Sequence, residues 1–147
     1  MKVLIDTNVI IDILDKREPF FLDSYKFIQL GLEGKLDMLI SAGAVTDVYY
    51  IINKSLRDAN TAKEKIFILT SLVNICNTTS DDIKSALTLF MTDFEDAVLA
   101  ATAKREKMDF IITRNGTDFI NSPVPAVSPV QFLHNHQSTS NTQATHP

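Results

Sequence analysis

Short apolar runs alternate with longer amphipathic stretches along the chain, a pattern typical of strands followed by helices. Residues 2–5 form the first apolar run, and Asp6-Thr7-Asn8 supplies capping side chains for a helix that begins at once. Residues 38–40 and 110–113 are two further runs of strand length. Weaker strand patterns lie at 74–76 and 124–127. The first strand is therefore expected to be followed by a tight turn and a helix.

Apolar residues three and four positions apart predict the remaining helices. Helices are expected to begin near Pro19, Ser41, Asn60, Ser80 and Asp93. The helix from Pro19 should stop at Gly34, the helix from Ser80 should extend through Phe90, and the helix from Asp93 should use its alanines for close packing. Ser128-Pro129 should open a short terminal helix that ends near Leu133.

This order of elements predicts an α/β fold with a mostly parallel sheet. Parallel strands need long crossovers, and helices supply them while covering both faces of the sheet. Residues 1–133 are expected to form one domain, because no repeat or second apolar cluster is visible. The polar segment 134–147 lacks core-forming residues and is expected to be disordered.

The composition of the chain bears on its core, its cellular location and its binding partners. The 147 residues are 45% hydrophobic, which suffices for a core, and the one cysteine, Cys76, excludes an intrachain disulfide. No signal-like or membrane-spanning stretch is visible, so we expect a cytoplasmic location. The net charge of -4 gives no general attraction for nucleic acid. Binding of nucleic acid would therefore need bridging cations or a local basic patch.

Five aspartates are placed where they could share one site. Asp6 and Asp118 follow predicted strands, whose carboxyl ends border ligand sites in parallel sheets. Asp93 and Asp96 lie three residues apart at a helix start, and Asp47 lies beside an apolar helical stripe. Carboxylates prefer Mg²⁺ or Mn²⁺, and no Cys/His spacing suggests zinc. Without a protein nucleophile, this set indicates phosphodiester hydrolysis by metal-activated water.

Each of these acids also has a simpler explanation. Asp6 and Asp93 could only cap helices, and Asp118 could only form a turn. Asp47 and Asp96 could be exposed surface charges. These alternatives remain open from the residues alone.

Other polar residues are assigned lesser roles. Asp12 and Asp15, on the first predicted helix, are expected to be solvated or to cap. The three histidines all fall in the terminal segment, which argues against histidine-dependent cleavage. Four basic residues are candidates for steering a nucleic acid, although a solvated surface charge is the favoured explanation for each of them: Arg114, Lys54, Arg57 and Lys16.

Four segments together resemble the PIN domain, and within it the compact VapC-like toxins of type II toxin–antitoxin pairs. The segments are 3–12, 40–50, 93–103 and 112–119, and the resemblance extends from Met1 to about Leu133. It implies a Rossmann-like three-layer α/β/α fold. It also implies an endoribonuclease that needs Mg²⁺ or Mn²⁺ and leaves 5′-phosphate and 3′-hydroxyl ends.

The resemblance also implies roles for individual residues. It assigns the metal site to Asp6, Asp47, Asp96 and Asp118, and supporting roles to Asp93, Thr113 and Asn115. Asp96 or Asp6 would orient the attacking water. Asp47 stands where the family often has glutamate, so it would reach the ion with a shorter side chain, through water if necessary. The implied partners are RNA, a cognate antitoxin protein and a second copy of the chain.

Two other classes of function compete with the nuclease. A catalytically weak PIN-like module could bind RNA or protein without cleavage, but candidates stand at all four metal-ligand positions here. A phosphatase or receiver-like domain also carries acids at strand ends. That reading is disfavoured, because Asp6 lacks a second aspartate two residues on and no suitably placed lysine is evident.

Overall fold

The computed structural model of the chain describes residues 1–142, with side chains as far as residue 136. In chain order the elements are β1 (Lys2–Ile5), α1 (Thr7–Leu14), α2 (Phe21–Leu32), β2 (Asp37–Ser41), α3 (Ala42–Leu56), α4 (Ala59–Leu72), β3 (Asn74–Cys76), α5 (Ser80–Ala86), α6 (Phe94–Arg105), β4 (Phe110–Ile112), a 3₁₀ turn (Gly116–Phe119), β5 (Ala126–Val127) and α7 (Pro129–Thr142). The predicted alternation of strands and helices is confirmed.

The five strands form one parallel sheet in the order β3-β2-β1-β4-β5. The central strand β1 pairs with β2 through Leu4 and Leu39, and with β4 through Ile5 and Ile112. The chain builds outward from β1 to β3 and then returns to the other side of β1. This reversal makes the carboxyl ends of β1 and β4 a topological switch point, where α/β sheets bind ligands.

Alternate residues of β1 serve opposite faces of the sheet, because strand side chains alternate. Val3 and Ile5 belong to a core that also holds the apolar faces of α1, α2, α3, α4 and α7. Leu4 belongs to a second core, together with Leu99 and Ala100 of α6. The sheet thus lies between two helical layers, and the predicted three-layer α/β/α architecture is confirmed.

The α5–α6 layer is held by alanine packing and one ion pair. Ala97 and Ala101 of α6 are buried against Ala86 of α5. Arg105 donates from Nε and Nη2 to the two carboxylate oxygens of the buried Asp82, at 2.8 and 3.0 Å. Asp82 also completes a capping box with Thr79. The position of α6, which carries several candidate site residues, therefore depends on α5.

Two predicted helix ends are wrong. The helix predicted from Ser80 through Phe90 ends at Ala86, and Phe90 is 90% exposed. The terminal helix extends to Thr142 rather than ending near Leu133. The sequence between Pro129 and Pro147 contains no glycine or proline, the two residues that disfavour a helix interior most. Residues 134–142, expected to be disordered, are thus helical, while the rest of the predicted tail lies outside the described residues.

Within residues 1–142, no helix combines the length and apolar character needed to cross a bilayer.

Candidate active site

Asp6 lies between the end of β1 and the start of α1, at the centre of the sheet edge. Its backbone N–H donates to the Ile112 carbonyl at 2.9 Å, which extends the β1–β4 ladder by one residue. Its side chain caps α1 by accepting from the Thr7 N–H at 2.7 Å. The capping alternative is therefore correct for one oxygen of Asp6, while the other oxygen has different partners.

The second oxygen of Asp6 is held by two side chains. Thr113, fully buried at the end of β4, donates its hydroxyl to Asp6 Oδ2 at 2.7 Å. The Asn8 amide donates to the same oxygen at 3.1 Å and to Thr113 Oγ1 at 3.2 Å. Thr113 Oγ1 also accepts from the Asn115 backbone N–H at 3.1 Å. These bonds fix the direction of the Asp6 carboxylate.

The start of α6 brings three acids to the same edge. Asp93 is the N-cap residue and accepts from the Asp96 N–H at 3.1 Å, so its capping role is observed. Glu95 and Asp96 occupy the first turn, where the helix dipole favours negative charge. Asp96 is half-buried, whereas Asp93 is exposed.

Asp6, Asp47, Glu95 and Asp96 all line one open cleft of about 310 Å³. Asp47 comes from α3, so three separate elements supply these acids. Ser41, Gly43 and Ala44, where β2 meets α3, form one wall of the cleft. Phe94, Val98 and Leu99 of α6 form another. We call this the carboxylate cleft.

Asp118 lies in an adjoining hollow of about 370 Å³. Asp93 and Asp96 also line that hollow, and Asp96 is therefore the residue shared by both spaces. Asp118 is exposed on the 3₁₀ turn, and its backbone N–H donates to the Asn115 carbonyl at 3.0 Å. The structure thus groups Asp6, Asp47 and Asp96 directly, with Asp118 beyond Asp96.

The crowded acids repel one another and resist ionisation. Burial, followed by the charges of neighbouring aspartates, raises the pKa of Asp96 to about 6. Glu95 is exposed as a residue, yet it lines the cleft together with Asp47. Its burial there, a hydrogen bond to Asp47 and nearby negative charge raise its pKa to about 7. Burial also raises the pKa of Asp6, against the effect of its hydrogen bonds to Thr113, Thr7 and Asn8.

The donors present fit a hydrated divalent cation. All are carboxylate oxygens, which Mg²⁺ and Mn²⁺ prefer, and a cation would offset their mutual repulsion. Among the side chains that the structure describes, no three acids, histidines or cysteines already surround a point where an ion could sit. Mg²⁺ commonly keeps several waters and binds one or two carboxylates. The cleft therefore suits an ion held partly through water.

Arg114, the leading candidate for RNA steering, has a structural partner. Its Nε lies 2.6 Å from Oδ2 of Asp12, in an ion pair too bent to count as a regular hydrogen bond. Asp12 has no exposed surface, so the expectation that it is solvated or capping is wrong. It lies on the inner face of α1, where burial of a carboxylate requires a partner charge. The other three candidates, Lys16, Lys54 and Arg57, are exposed and line neither acidic space.

Sequence reasoning missed two residues of the site. Asn8 was assigned only to helix capping, but it bonds to Asp6 and to Thr113, which lies 105 positions further along the chain. Glu95 falls within segment 93–103 but had no predicted role of its own, yet it lines the cleft together with Asp47. Three acids within four residues were the available signal for Glu95. No local signal existed for Asn8.

Comparisons with known proteins agree with this geometry. A family model described as PIN domain matches residues 2–117. Ribonuclease VapC1 of Aquifex aeolicus (strain VF5) is 28% identical over 136 residues, which cover 89% of this chain and 92% of the relative.

Two solved structures are similar in fold. One is VapBC2 from Rickettsia felis bound to a DNA fragment from their promoter, with a TM-score of 0.72 and 18% identity over 87% of this chain and 98% of that one. The other is a toxin-antitoxin complex from Klebsiella pneumoniae, with a TM-score of 0.64 and 25% identity over 86% and 97% of the two chains. Since the family match covers most of the sequence and the switch-point acids stand within or beside it, the chain belongs to the PIN domain family.

Proposed function

We propose that this protein is a metal-dependent endoribonuclease that hydrolyses RNA phosphodiester bonds, and that it is the toxin of a toxin–antitoxin pair. The observation that carries the proposal is the convergence of Asp6, Asp47 and Asp96 on one cleft at the sheet's switch point. Similarity to a protein named as a ribonuclease, over nine-tenths of the chain, supports the RNA substrate.

In this proposal each acid has a distinct task. Asp6, Asp47 and Asp96 hold Mg²⁺ or Mn²⁺, and Asp118 contributes from the adjoining hollow through water. When bound, such an ion supplies a Lewis acid that activates water and offsets charge on the phosphate. Asp96 or Asp6 accepts a hydrogen bond from the attacking water and so orients it for in-line attack. The products expected are 5′-phosphate and 3′-hydroxyl ends.

Four neighbouring residues have positioning roles in the proposal. Thr113 and Asn8 hold the Asp6 carboxylate in one orientation through hydrogen bonds of 2.7 and 3.1 Å. The backbone of Asn115 fixes Thr113 in turn. Asp93 fixes the first turn of α6 and thereby the backbone of Asp96. Groups that orient ligands in this way commonly change metal affinity or activity by 10- to 100-fold when removed.

The direct test is cleavage of labelled structured RNAs with Mg²⁺ or Mn²⁺ and with EDTA. The native chain should cleave only with the metal, and Asp6→Asn and Asp96→Asn should each abolish cleavage. Asp37→Asn is the matched control, because Asp37 is exposed at the opposite end of the sheet. Equal activity in all variants would indicate a contaminant or a misassigned site. RNA binding without cleavage would support the weak binding module instead.

The toxin role has its own test in cells. Expression of the native chain should arrest growth, and Asp96→Asn should relieve the arrest. Several structures similar to this chain are toxin–antitoxin or VapBC complexes, which supports a cognate antitoxin. A short DNA-binding protein encoded beside this chain should restore growth when co-expressed. Growth arrest that persists in Asp96→Asn would contradict a nuclease toxin.

Two further expectations stay predictions. A homodimer should appear as about twice the 16.4 kDa chain mass in light scattering coupled to gel filtration. A cytoplasmic location should appear in fractionation of cells that express the tagged chain.

A further inference from the structure

A third space, of about 370 Å³, lies between the starts of α2 and α7, apart from both acidic spaces. Its walls include Phe20, Asp23, Ser24, Arg114 and Ser128. We call it the α2–α7 pocket. Volumes of a few hundred Å³ with mixed apolar and polar walls are typical of sites for small organic groups.

One wall of this pocket is a flat, rigid surface. The guanidinium carbon of Arg114 lies 4.0 Å from the centroid of the Phe20 ring, in a cation–π contact. The buried Asp12 pairs with the same guanidinium at 2.6 Å and fixes its position. Phe20 nevertheless keeps 40% of its surface exposed. The guanidinium covers one face of the ring, and an aromatic ring with a face left exposed is the kind of surface on which nucleobases stack.

The pocket also contains a buried polar group without a partner. The Ser24 side chain is 1% exposed, and its hydroxyl makes no hydrogen bond to any residue that the structure describes. A buried hydroxyl in that state costs free energy unless a ligand or water completes it. The Asp23 carboxylate adds an acceptor to the same walls. Donors and acceptors within one small pocket match the edge of a heterocyclic base.

The charge of the pocket disfavours a phosphate. The positive charge of Arg114 is already balanced by Asp12, and Asp23 adds a negative charge. A bare anion would therefore gain little attraction there. An uncharged ring that carries both hydrogen-bond donors and acceptors would not be repelled.

The pocket is joined to the proposed catalytic edge by the backbone. Arg114 directly follows Thr113, which donates to Asp6, and the Arg114 N–H donates to Asn8 Oδ1 at 3.1 Å. An RNA strand whose phosphate lies in the carboxylate cleft would therefore reach the α2–α7 pocket by passing Arg114.

We propose that the α2–α7 pocket binds one nucleobase of the RNA substrate, stacked on the part of the Phe20 ring that Arg114 leaves free, and so contributes to the choice of cleavage site. This inference rests on the proposed nuclease function, and it adds a specificity site distinct from the metal-binding acids.

Binding can be tested without catalysis. GMP, AMP and ribose 5-phosphate are titrated separately into the ¹⁵N-labelled full chain in EDTA, and backbone amide shifts are recorded. A nucleotide should shift Ser24 and Ser128, and ribose 5-phosphate should not. Phe20→Leu should weaken binding by roughly 5- to 100-fold, as expected for loss of stacking with one base. Phe67→Leu, a substitution of a 78% exposed phenylalanine on α4, is the matched control.

Cleavage mapping separates this proposal from the nuclease function. Phe20→Leu should raise KM and lose a base preference beside the cut, with kcat largely kept. Metal-dependent cleavage with an unchanged preference would overturn the base pocket and leave the nuclease intact. Nucleotide binding at the pocket without any cleavage would support the pocket and contradict the nuclease. Equal shifts with ribose 5-phosphate, or shifts only with an added protein partner, would also overturn it.

Discussion

Thr113→Val tests whether the Asp6 carboxylate is held by the hydrogen bonds seen at the end of β4. Valine has nearly the same shape but no hydroxyl. The substitution removes a 2.7 Å bond donated to Asp6 and leaves the Asn8 amide and the Asn115 N–H without their shared acceptor. The packing of this fully buried position changes little, so any effect comes from the lost bonds.

The expected magnitude follows from these bonds. A hydrogen bond to a charged group contributes about 1.5–3 kcal/mol. Part of the remaining loss is recovered, because the Asn8 amide keeps its bond to Asp6 and the exposed Asn115 lies near solvent. We therefore expect the free energy of unfolding to fall by about 2–3 kcal/mol. For a chain of this size, that corresponds to a fall in Tm of roughly 5–10 °C. Mn²⁺ affinity should fall by about 10- to 100-fold, because Asp6 loses its orientation.

Urea unfolding followed by circular dichroism measures the first effect, and Mn²⁺ titration measures the second. Ser24→Ala is the control for stability, since it removes a buried hydroxyl that makes no hydrogen bond to any described residue. A Thr113→Val variant that loses less than about 0.5 kcal/mol, as Ser24→Ala should, would refute the reasoning. So would normal Mn²⁺ affinity in a correctly folded variant.

Three further predictions follow from other contacts. Asp82→Ala breaks the paired bonds with Arg105 and the capping box, so it should cost about 2–4 kcal/mol in urea unfolding at pH 7. These contacts outweigh the effect of burial and lower the pKa of Asp82. The stability that Asp82 contributes is therefore present above about pH 4 and is lost as the pH falls through the lowered pKa. A constant difference in stability between native chain and variant down to pH 2 would contradict this. Ile52→Ala, at a fully buried position of α3, should cost about 2–5 kcal/mol by the same assay, and a loss below 1 kcal/mol would mean that the cavity collapses. Asp96→Asn should raise Tm in EDTA, because it relieves repulsion in the carboxylate cleft. It should also abolish the rise in Tm that Mn²⁺ gives the native chain. A lower Tm of the variant in EDTA would count against that repulsion.

Local patterns in the sequence determined the architecture. The apolar runs of β1, β2 and β4 predict buried parallel strands, because strands covered on both faces need apolar residues throughout. The same patterns place Asp6 and Thr113 at strand ends. Since parallel strands end at a common edge, the meeting of these two residues was foreseeable before any contact was known.

The family motifs identified the acids, but the arrangement of these acids depends on the tertiary structure. Asp6, Asp47 and Asp96 share the carboxylate cleft, whereas Asp118 lies in the next hollow beyond Asp96. The spacing of residues along a chain does not fix how deep each side chain lies or which rotamer it adopts. Those depend on the packing of α3 and α6 against the sheet.

Sequence patterns did not predict contacts between residues that are distant in the chain. The sequence alone predicts that Asp12 is a surface residue of α1. In the folded chain it pairs with Arg114, about one hundred positions later. The bond of Asn8 to Thr113 has the same origin. Local propensity and periodicity report on neighbours within a few residues, so they gave the elements and their order. Burial and charge pairing arise only when the sheet closes, and they decided which polar residues support the site.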